Sequence, residues 1–298
     1  MKDNYYSILI PVYNGEATLP FLIESLKNLN FDVGKFEVIF IDNNSTDNSL
    51  TLINNFIKTE KSIDVRYLFF DRIQSSYASR NFGVKYAKGN ILVFTDADCR
   101  LDCEYLNILD NYSIHENNVL LGGQIIFDVD DEDNLWENYD QIASLQNETN
   151  ADLNKAVTAN MVCSIDVFNN TGEFKERTSG GDFEWSNRTL SFGYKLKYLK
   201  GLIVYHPTRK SLSEIKKKLY RFGIGWGEEI IEKKRNIIFG LFKHFLKFFY
   251  IATNIRYSKK LMRRVSLKKV IIFNWYFFYL RIVILKGVSK GILSALKK

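Results

Sequence analysis

Short apolar runs alternate with stretches of helical spacing through the first hundred positions of the chain. Ser7–Val12 (SILIPV), Phe36–Ile41 (FEVIFI), Val65–Phe70 (VRYLFF) and Ile91–Phe94 (ILVF) have the length and β-branched character of strands buried in a sheet. Between the first two, Glu16–Leu29 places Leu19, Leu22, Ile23, Leu26 and Leu29 on one helical face. Ser49–Ile57 and Tyr77–Ala87 predict two further helices. Strands that alternate with helices in this way predict an α/β fold with a mostly parallel, Rossmann-like sheet flanked by helices.

Each strand ends in a polar cluster: Tyr13–Glu16, Asp42–Asp47, Arg72–Arg80 and Asp96–Asp98. In a parallel sheet these clusters gather outside the carboxyl ends of the strands, where ligands bind. Asp96 and Asp98, one residue apart in TDAD, repel each other unless a cation lies between them, and a hard divalent ion such as Mg2+ or Mn2+ suits two carboxylates. A simple Asp-rich turn is the alternative. Asp42 stands where an acid meets a nucleoside in such folds, and Arg80 has the planar fork that matches phosphate oxygens. The glycine-rich phosphate loop of dinucleotide-binding and P-loop proteins is missing after the first strand, which reads PVYNGEA.

Further along, Val119–Val129 predicts one or two strands, Asp130–Asp133 an acidic loop, and Leu135–Glu148 a helix in which Trp136 and Tyr139 serve packing. Ser179–Arg188 (SGGDFEWSNR) predicts a helix from Phe183 with Asp182 as its N-cap. Arg188, four residues after Glu184, either pairs with it or steadies a diphosphate. His206 ends the strand Leu202–Tyr205, and Leu212–Ile231 predicts an amphipathic helix broken around Gly223–Gly225, with Arg209, Lys210 and Arg221 within reach of a pyrophosphate.

Charge divides the chain. Residues 1–208 carry 18 Lys/Arg against 30 Asp/Glu, a net of −12, whereas residues 209–298 carry 23 against 4, a net of +19. A basic tail faces either nucleic acid or an anionic lipid surface. Here the cations interrupt apolar runs, Ile237–Ala252 and Val270–Leu285, which favours lipid and argues against nucleic acid. Lys243, Lys247, Arg263, Arg264, Lys268 and Lys269 punctuate or flank those runs, so helices lying in the cytoplasmic interface are expected ahead of spanning ones. Packing on the catalytic part or a homodimer contact is the alternative. Two domains are expected, 1–208 catalytic and 209–298 a basic helical extension. Cys99, Cys103 and Cys163 lack metal-site spacing and read as small core residues of a reducing compartment, and no signal peptide is expected from the short N-terminal apolar run.

Four segments in order, SILIPVYNGEATL, EVIFIDNNSTDNS, SRNFGVKYAKGNILVFTDADC and SGGDFEW, resemble the family 2 glycosyltransferases of GT-A fold over roughly residues 5–208. The resemblance implies that Pro11, Tyr13 and Glu16 line a nucleoside pocket, that Asp42 meets base or ribose, and that Arg80 and Asn81 form the family's R-N-x-G segment beside the donor. It makes Asp96 and Asp98 the metal and diphosphate motif, with His206 completing the coordination, and Asp182 the general base. Gly181 replaces an acid often found there, so Glu184 stays open as the base. The activity implied is inverting transfer of a sugar from a nucleotide-sugar, UDP- or GDP-linked, to a hydroxyl of a glycan or lipid-linked acceptor, with Mn2+ or Mg2+. A sugar-nucleotide pyrophosphorylase and a catalytically silent carbohydrate- or lipid-binding scaffold are the alternatives.

Overall fold

The computed structural model describes residues 4–297 apart from 113–118, 146, 153, 234–235 and 249–250. The side chains of 151–152, 243–245, 247–248 and 251–253 are also outside the description, and with them those of Lys243 and Lys247.

The first part of the chain follows the predicted alternation: β1 (Tyr6–Val12), α1 (Leu19–Lys27), β2 (Phe36–Asp42), α2 (Ser49–Thr59), β3 (Asp64–Phe69), α3 (Ser76–Val84) and β4 (Ile91–Thr95). There follow β5 (Arg100–Leu101), α4 (Tyr105–Asp110), β6 (Val119–Asp128), α5 (Leu135–Ala143), α6 (Asn147–Asp152), β7 (Asn160–Ser164), α7 (Ile165–Thr171), α8 (Gly181–Ser191) and β8 (Lys195–Pro207). The chain ends in α9 (Leu212–Glu232), α10 (Ile237–Phe248), α11 (Ile251–Leu261) and α12 (Leu267–Ala295).

One eight-stranded sheet runs β3-β2-β1-β4-β7-β6-β8-β5. β1 pairs in parallel with β2 (Val12 opposite Asp42) and with β4 (Leu9 opposite Phe94), and β2 in parallel with β3. Because these strands are parallel, Tyr13, Asn43 and Asp96, each the first residue after its strand, emerge at the same carboxyl end of the sheet. The sheet then reverses, since β7 is antiparallel to β4 and to β6, and β5 to β8. The sheet is therefore mixed where a mostly parallel one was expected. β7 escapes sequence reading because NMVCS is too short and too mixed to show a period.

Alternate residues of the central strands face opposite layers. Ile8, Ile10, Val12, Phe40 and Val93 pack with Leu19, Leu22 and Leu26 of α1. Leu9, Ile39, Ile41, Leu92 and Phe94 pack with Ala78, Phe174 and Trp185. Cys99 and Cys163 are buried, but Cys103 is exposed, contrary to its expected core position.

Two compact units emerge: Met1–Ile126, Leu145–Glu176 and Gly181–Pro207 form one, and Phe127–Ser144, Arg177–Gly180 and Thr208–Lys298 the other. The basic extension thus shares its unit with α5 and a short segment before α8. The expected Leu135–Glu148 helix stops at Ala143, with Leu145 in the left-handed region at φ 47°. α9 runs unbroken for 21 residues instead of breaking at its glycines. Those glycines serve packing: a Cβ on Gly223 would strike the Ile284 carbonyl and come within 2.9 Å of the Gly287 Cα, and one on Gly227 would come within 3.0 Å of the Gly291 Cα. Two small-residue faces let α9 and α12 approach backbone to backbone.

Trp136 packs edge-on against Tyr276 at 5.6 Å and Tyr139 against Phe273 at 5.1 Å, so both serve the core of this unit. Arg209 and Lys210, expected near a pyrophosphate, instead pair with Asp140 (3.0 Å) and Asp130. α12 is longer than the apolar run Val270–Leu285, and by length and composition alone it is able to cross a membrane. Trp275 (81%), Ile238 (78%) and Phe239 (66%) are among the most exposed apolar side chains.

Candidate active site

Two loops at the sheet edge are laced together. The backbone N–H of Asn14 donates to Ser45 Oγ (2.9 Å), that of Gly15 to Ser49 Oγ (2.8 Å) and that of Glu16 to Asp47 Oδ2 (2.9 Å). Thr46 N–H returns a bond to Asn14 Oδ1 at 2.8 Å, which holds Asn14 in its left-handed conformation, φ 50°. Pro11 is buried within β1, and Tyr13 just beyond it is 52% exposed. The Glu16 carboxylate accepts from Asn48 Nδ2 at 2.6 Å, so it braces the second loop.

Asp42 is buried, with Oδ1 accepting from Ser45 N–H (3.0 Å) and Oδ2 from the Tyr67 hydroxyl (3.0 Å). Burial and this carboxylate push the Tyr67 hydroxyl up to about 12, which keeps it a donor. Neighbouring Asn43 ties the end of β2 to the segment before α3 through Phe70 O, Ile73 O and Ser75 N–H, each at 2.9 Å. Sequence reading passes over Asn43 and Tyr67; a buried amide after a strand is the signal for the first, and Tyr67 carries none.

α3 carries Arg80 and Asn81, and neither presents itself to solvent. Arg80 is 1% exposed and its guanidinium pairs with Asp96 Oδ1. Its guanidinium thus orients the first acid of TDAD. Asn81 Nδ2 donates to Phe174 O (2.7 Å) and Oδ1 accepts from Phe174 N–H (2.9 Å). Both ends of the buried amide are engaged, so Asn81 fastens a distant segment.

At the end of β4 the two acids part company. Asp96 turns to Arg80, whereas Asp98, 36% exposed, lies with Oδ2 3.6 Å from His206 Nε2. His206 Nδ1 lies 2.6 Å from the Pro207 carbonyl, which can only accept, so Nδ1 donates there and the other ring nitrogen, Nε2, faces Asp98. Asp98, Cys99 and His206 each bring one donor atom within 4.8 Å of the others. A carboxylate oxygen and an imidazole nitrogen suit an ion such as Mn2+. Cys99 is fully buried with Sγ 3.9 Å from Ala159 O, a core position.

α8 supplies the remaining acids. Gly180, in the left-handed region at φ 76°, precedes the helix, and Asp182 lies inside its first turn instead of capping it. Asp182 Oδ1 accepts from the Tyr77 hydroxyl (3.1 Å) and from Phe183 N–H (2.9 Å). Desolvation raises the Asp182 carboxyl above its ordinary value, against the opposing pull of those two bonds and of Arg80. Glu184 is engaged differently, by Arg188 (3.1 Å) and Lys175 (3.4 Å). Arg188 in turn donates to Thr171 O and to Glu173 O at 2.7 Å. Arg188 therefore pins a loop to α8 and pairs with Glu184, the first of the two roles expected for it.

Residues 7–199 match the family model of Glycosyl transferase family 2. The chain belongs to this family and is a glycosyltransferase of GT-A fold. It is similar to glycosyltransferase AglE of Haloferax volcanii, 27% identical over 283 residues that cover 91% of this chain and 91% of that enzyme. Among solved structures, the mannosyltransferase PcManGT from Pyrobaculum calidifontis in complex with GDP-Man and Mn2+ aligns over 99% of this chain and 88% of its own, with TM-score 0.66 and 12% identity. S. aureus TarS 1-349 in complex with UDP-GlcNAc aligns over 98% and 92%, with TM-score 0.53 and 14% identity. At such identities these two structures speak for the fold alone.

Proposed function

We propose that this glycosyltransferase moves a hexose, with inversion, from a UDP- or GDP-sugar to a hydroxyl of a lipid-linked or glycan acceptor at a membrane surface. The observation that carries the reading is the facing of Asp98 and His206 at the end of β4, together with a second carboxylate, Asp182, held at the start of α8. Exposed Tyr13, beside Pro11 and the loop that Glu16 braces, offers the nucleoside a ring to stack on, and Asp42 sets the shape of the loop beside it. Asp98 and His206 would hold a divalent cation, and Asp96, oriented by Arg80, would complete its acidic surroundings. The cation, when bound, offsets the negative charge of the departing diphosphate.

Asp182 takes the proton from the acceptor hydroxyl as that oxygen bonds the anomeric carbon, and the diphosphate leaves from the opposite face with the bonding electron pair. Its raised carboxyl pKa brings it nearer to the range in which a base works well, and its place at a helix N-terminus favours the ionised form needed to accept a proton. Glu184 is the weaker choice because Arg188 and Lys175 already neutralise it.

For location, the basic extension carries a net of +19 and exposes Ile238, Phe239, Trp275 and Ile271, a pairing of cations and apolar area suited to the anionic cytoplasmic interface. Such a site confines the enzyme to the surface where a lipid-linked acceptor resides.

Two measurements test the proposal. Purified protein with Mn2+ and a panel of UDP- and GDP-sugars is expected to release nucleotide slowly without acceptor; no release with any donor or acceptor would favour a silent scaffold. In flotation with anionic vesicles the full chain is expected to rise, less so at high salt, and indifference to vesicles would remove the membrane part.

A further inference from the structure

We propose that Tyr77 is a positioning residue that aims the Asp182 carboxylate at the acceptor. The inference rests on the reading of Asp182 as the general base.

Tyr77 Oη and Phe183 N–H both donate to the same oxygen, Asp182 Oδ1, at 3.1 and 2.9 Å. Among the described residues the hydrogen bonds to this carboxylate converge on Oδ1. Oδ2 is thereby left to take a proton, and the carboxylate plane is set by two donors from different elements. A carboxylate with a single backbone bond rotates about χ2 at little cost; a second donor from α3 removes that freedom.

The hydroxyl is itself held in place. The Tyr77 ring is 7% exposed, and Gly181 lies directly against it, so that a Cβ there would sit 2.9 Å from two ring carbons. Phe174 packs at a ring-centroid distance of 6.0 Å, and the Arg80 guanidinium carbon lies 5.9 Å from the Tyr77 ring centroid. Glycine at position 181 is thus a steric requirement for the ring's approach to the start of α8. Burial, then the Asp182 charge, raises the phenol pKa well beyond neutrality, so the hydroxyl remains a donor.

Tyr77 and Arg80 are one turn apart on α3, where residues i and i+3 share a face. The first reaches Asp182 and the second Asp96. One helical turn therefore references the base against the acidic motif of β4. A tyrosine hydroxyl buried only for packing needs any acceptor; this one has the carboxylate whose orientation the reaction depends on.

Tyr77→Phe keeps the ring and removes the bond. Measured by nucleotide release from whichever of UDP-GlcNAc and GDP-mannose is turned over, it is expected to lower kcat about tenfold, the scale of one hydrogen bond to a charged group. KM for the donor and calorimetric affinity for Mn2+-nucleotide should stay within twofold. In an Asp182→Asn background the same substitution should have no further effect, because both act through one carboxylate. Gly181→Ala, which displaces the ring without touching either polar group, should reproduce the kcat loss with donor affinity intact. An unchanged kcat in Tyr77→Phe, a parallel loss of nucleotide affinity, or additivity with Asp182→Asn would each overturn the inference while Asp182 keeps its role. Full turnover in Asp182→Asn would overturn both.

Discussion

His206 Nε2 stands 3.6 Å from Asp98 Oδ2, while the Pro207 carbonyl, 2.6 Å from Nδ1, orients the imidazole. The pair makes a direct prediction. Asp98→Ala and His206→Ala should each weaken Mn2+-dependent binding of UDP or GDP by at least about tenfold, the scale of a lost ligand or its support. With Mg2+ the His206→Ala penalty should shrink, because a neutral nitrogen suits Mn2+ better than Mg2+. Calorimetric titration with each ion checks both; equal nucleotide affinity in wild type and Asp98→Ala would take the metal away from this position.

The two acids of α8 should separate by their chemistry. Asp182→Asn should cut turnover by roughly 10²-fold or more, the scale of lost general-base catalysis, with donor affinity nearly intact. Glu184→Gln removes the ion pairs to Arg188 and Lys175, and should loosen the Thr171–Glu173 loop and lower Tm while turnover stays within a few-fold. The opposite pattern of turnover would move the base to Glu184.

Asn81 is expected to serve the fold and not donor binding. Asn81→Ala strands both the N–H and the carbonyl of Phe174 inside the core and should cost about 2–3 kcal/mol of stability. Denaturant unfolding checks the cost. Nucleotide affinity of the folded variant should equal that of wild type, and a selective loss of affinity at unchanged stability would restore the donor role.

The second unit carries an acid-sensitive bond. Burial alone would raise the Asp140 carboxyl, but Lys218 at 2.7 Å and Arg209 at 3.0 Å outweigh it and hold its pKa at about 2. Since the folded value lies below the unfolded one of 3.8, the contribution is complete above pH 3.8 and lost as pH falls towards 2, amounting to about 2 kcal/mol. Lys218, itself lowered to about 8 chiefly by burial, stays charged at neutral pH and would be left unpaired by Asp140→Asn. That variant should lose about 3–5 kcal/mol at pH 7, and its unfolding midpoint should no longer respond to pH between 4 and 2 through this group. A variant as stable as wild type at pH 7 would contradict the pairing.

Much of the architecture of the first hundred residues is legible in their apolar pattern. Runs such as FEVIFI and ILVF are buried on both faces in β2 and β4, and the helical spacing of Leu19, Leu22 and Leu26 is the face that α1 lays on the sheet. Local periodicity suffices there because each segment meets one kind of environment along its length. The composition break near residue 208 is equally plain, yet the second unit also recruits Phe127–Ser144 and Arg177–Gly180, segments whose charge and apolar content resemble their neighbours.

By itself the sequence determined the order of strands and helices in the first hundred residues, the acidic residues at the strand ends, the basic apolar tail and the family. Tertiary structure decided what each of the polar residues touches. Asp96 and Asp98 are equivalent in TDAD, but buried Arg80 claims the first and His206 the second. Arg80 and Asn81 are adjacent and equally polar, yet one sets an acid and the other ties down Phe174. Nothing in the sequence around Tyr77 marks it; its role comes from α8, which brings Asp182 to its hydroxyl. The physical reason is shared: a hydrogen-bonding side chain takes its role from the partner that burial leaves within about 3 Å, and that partner comes from a part of the chain that local spacing cannot locate.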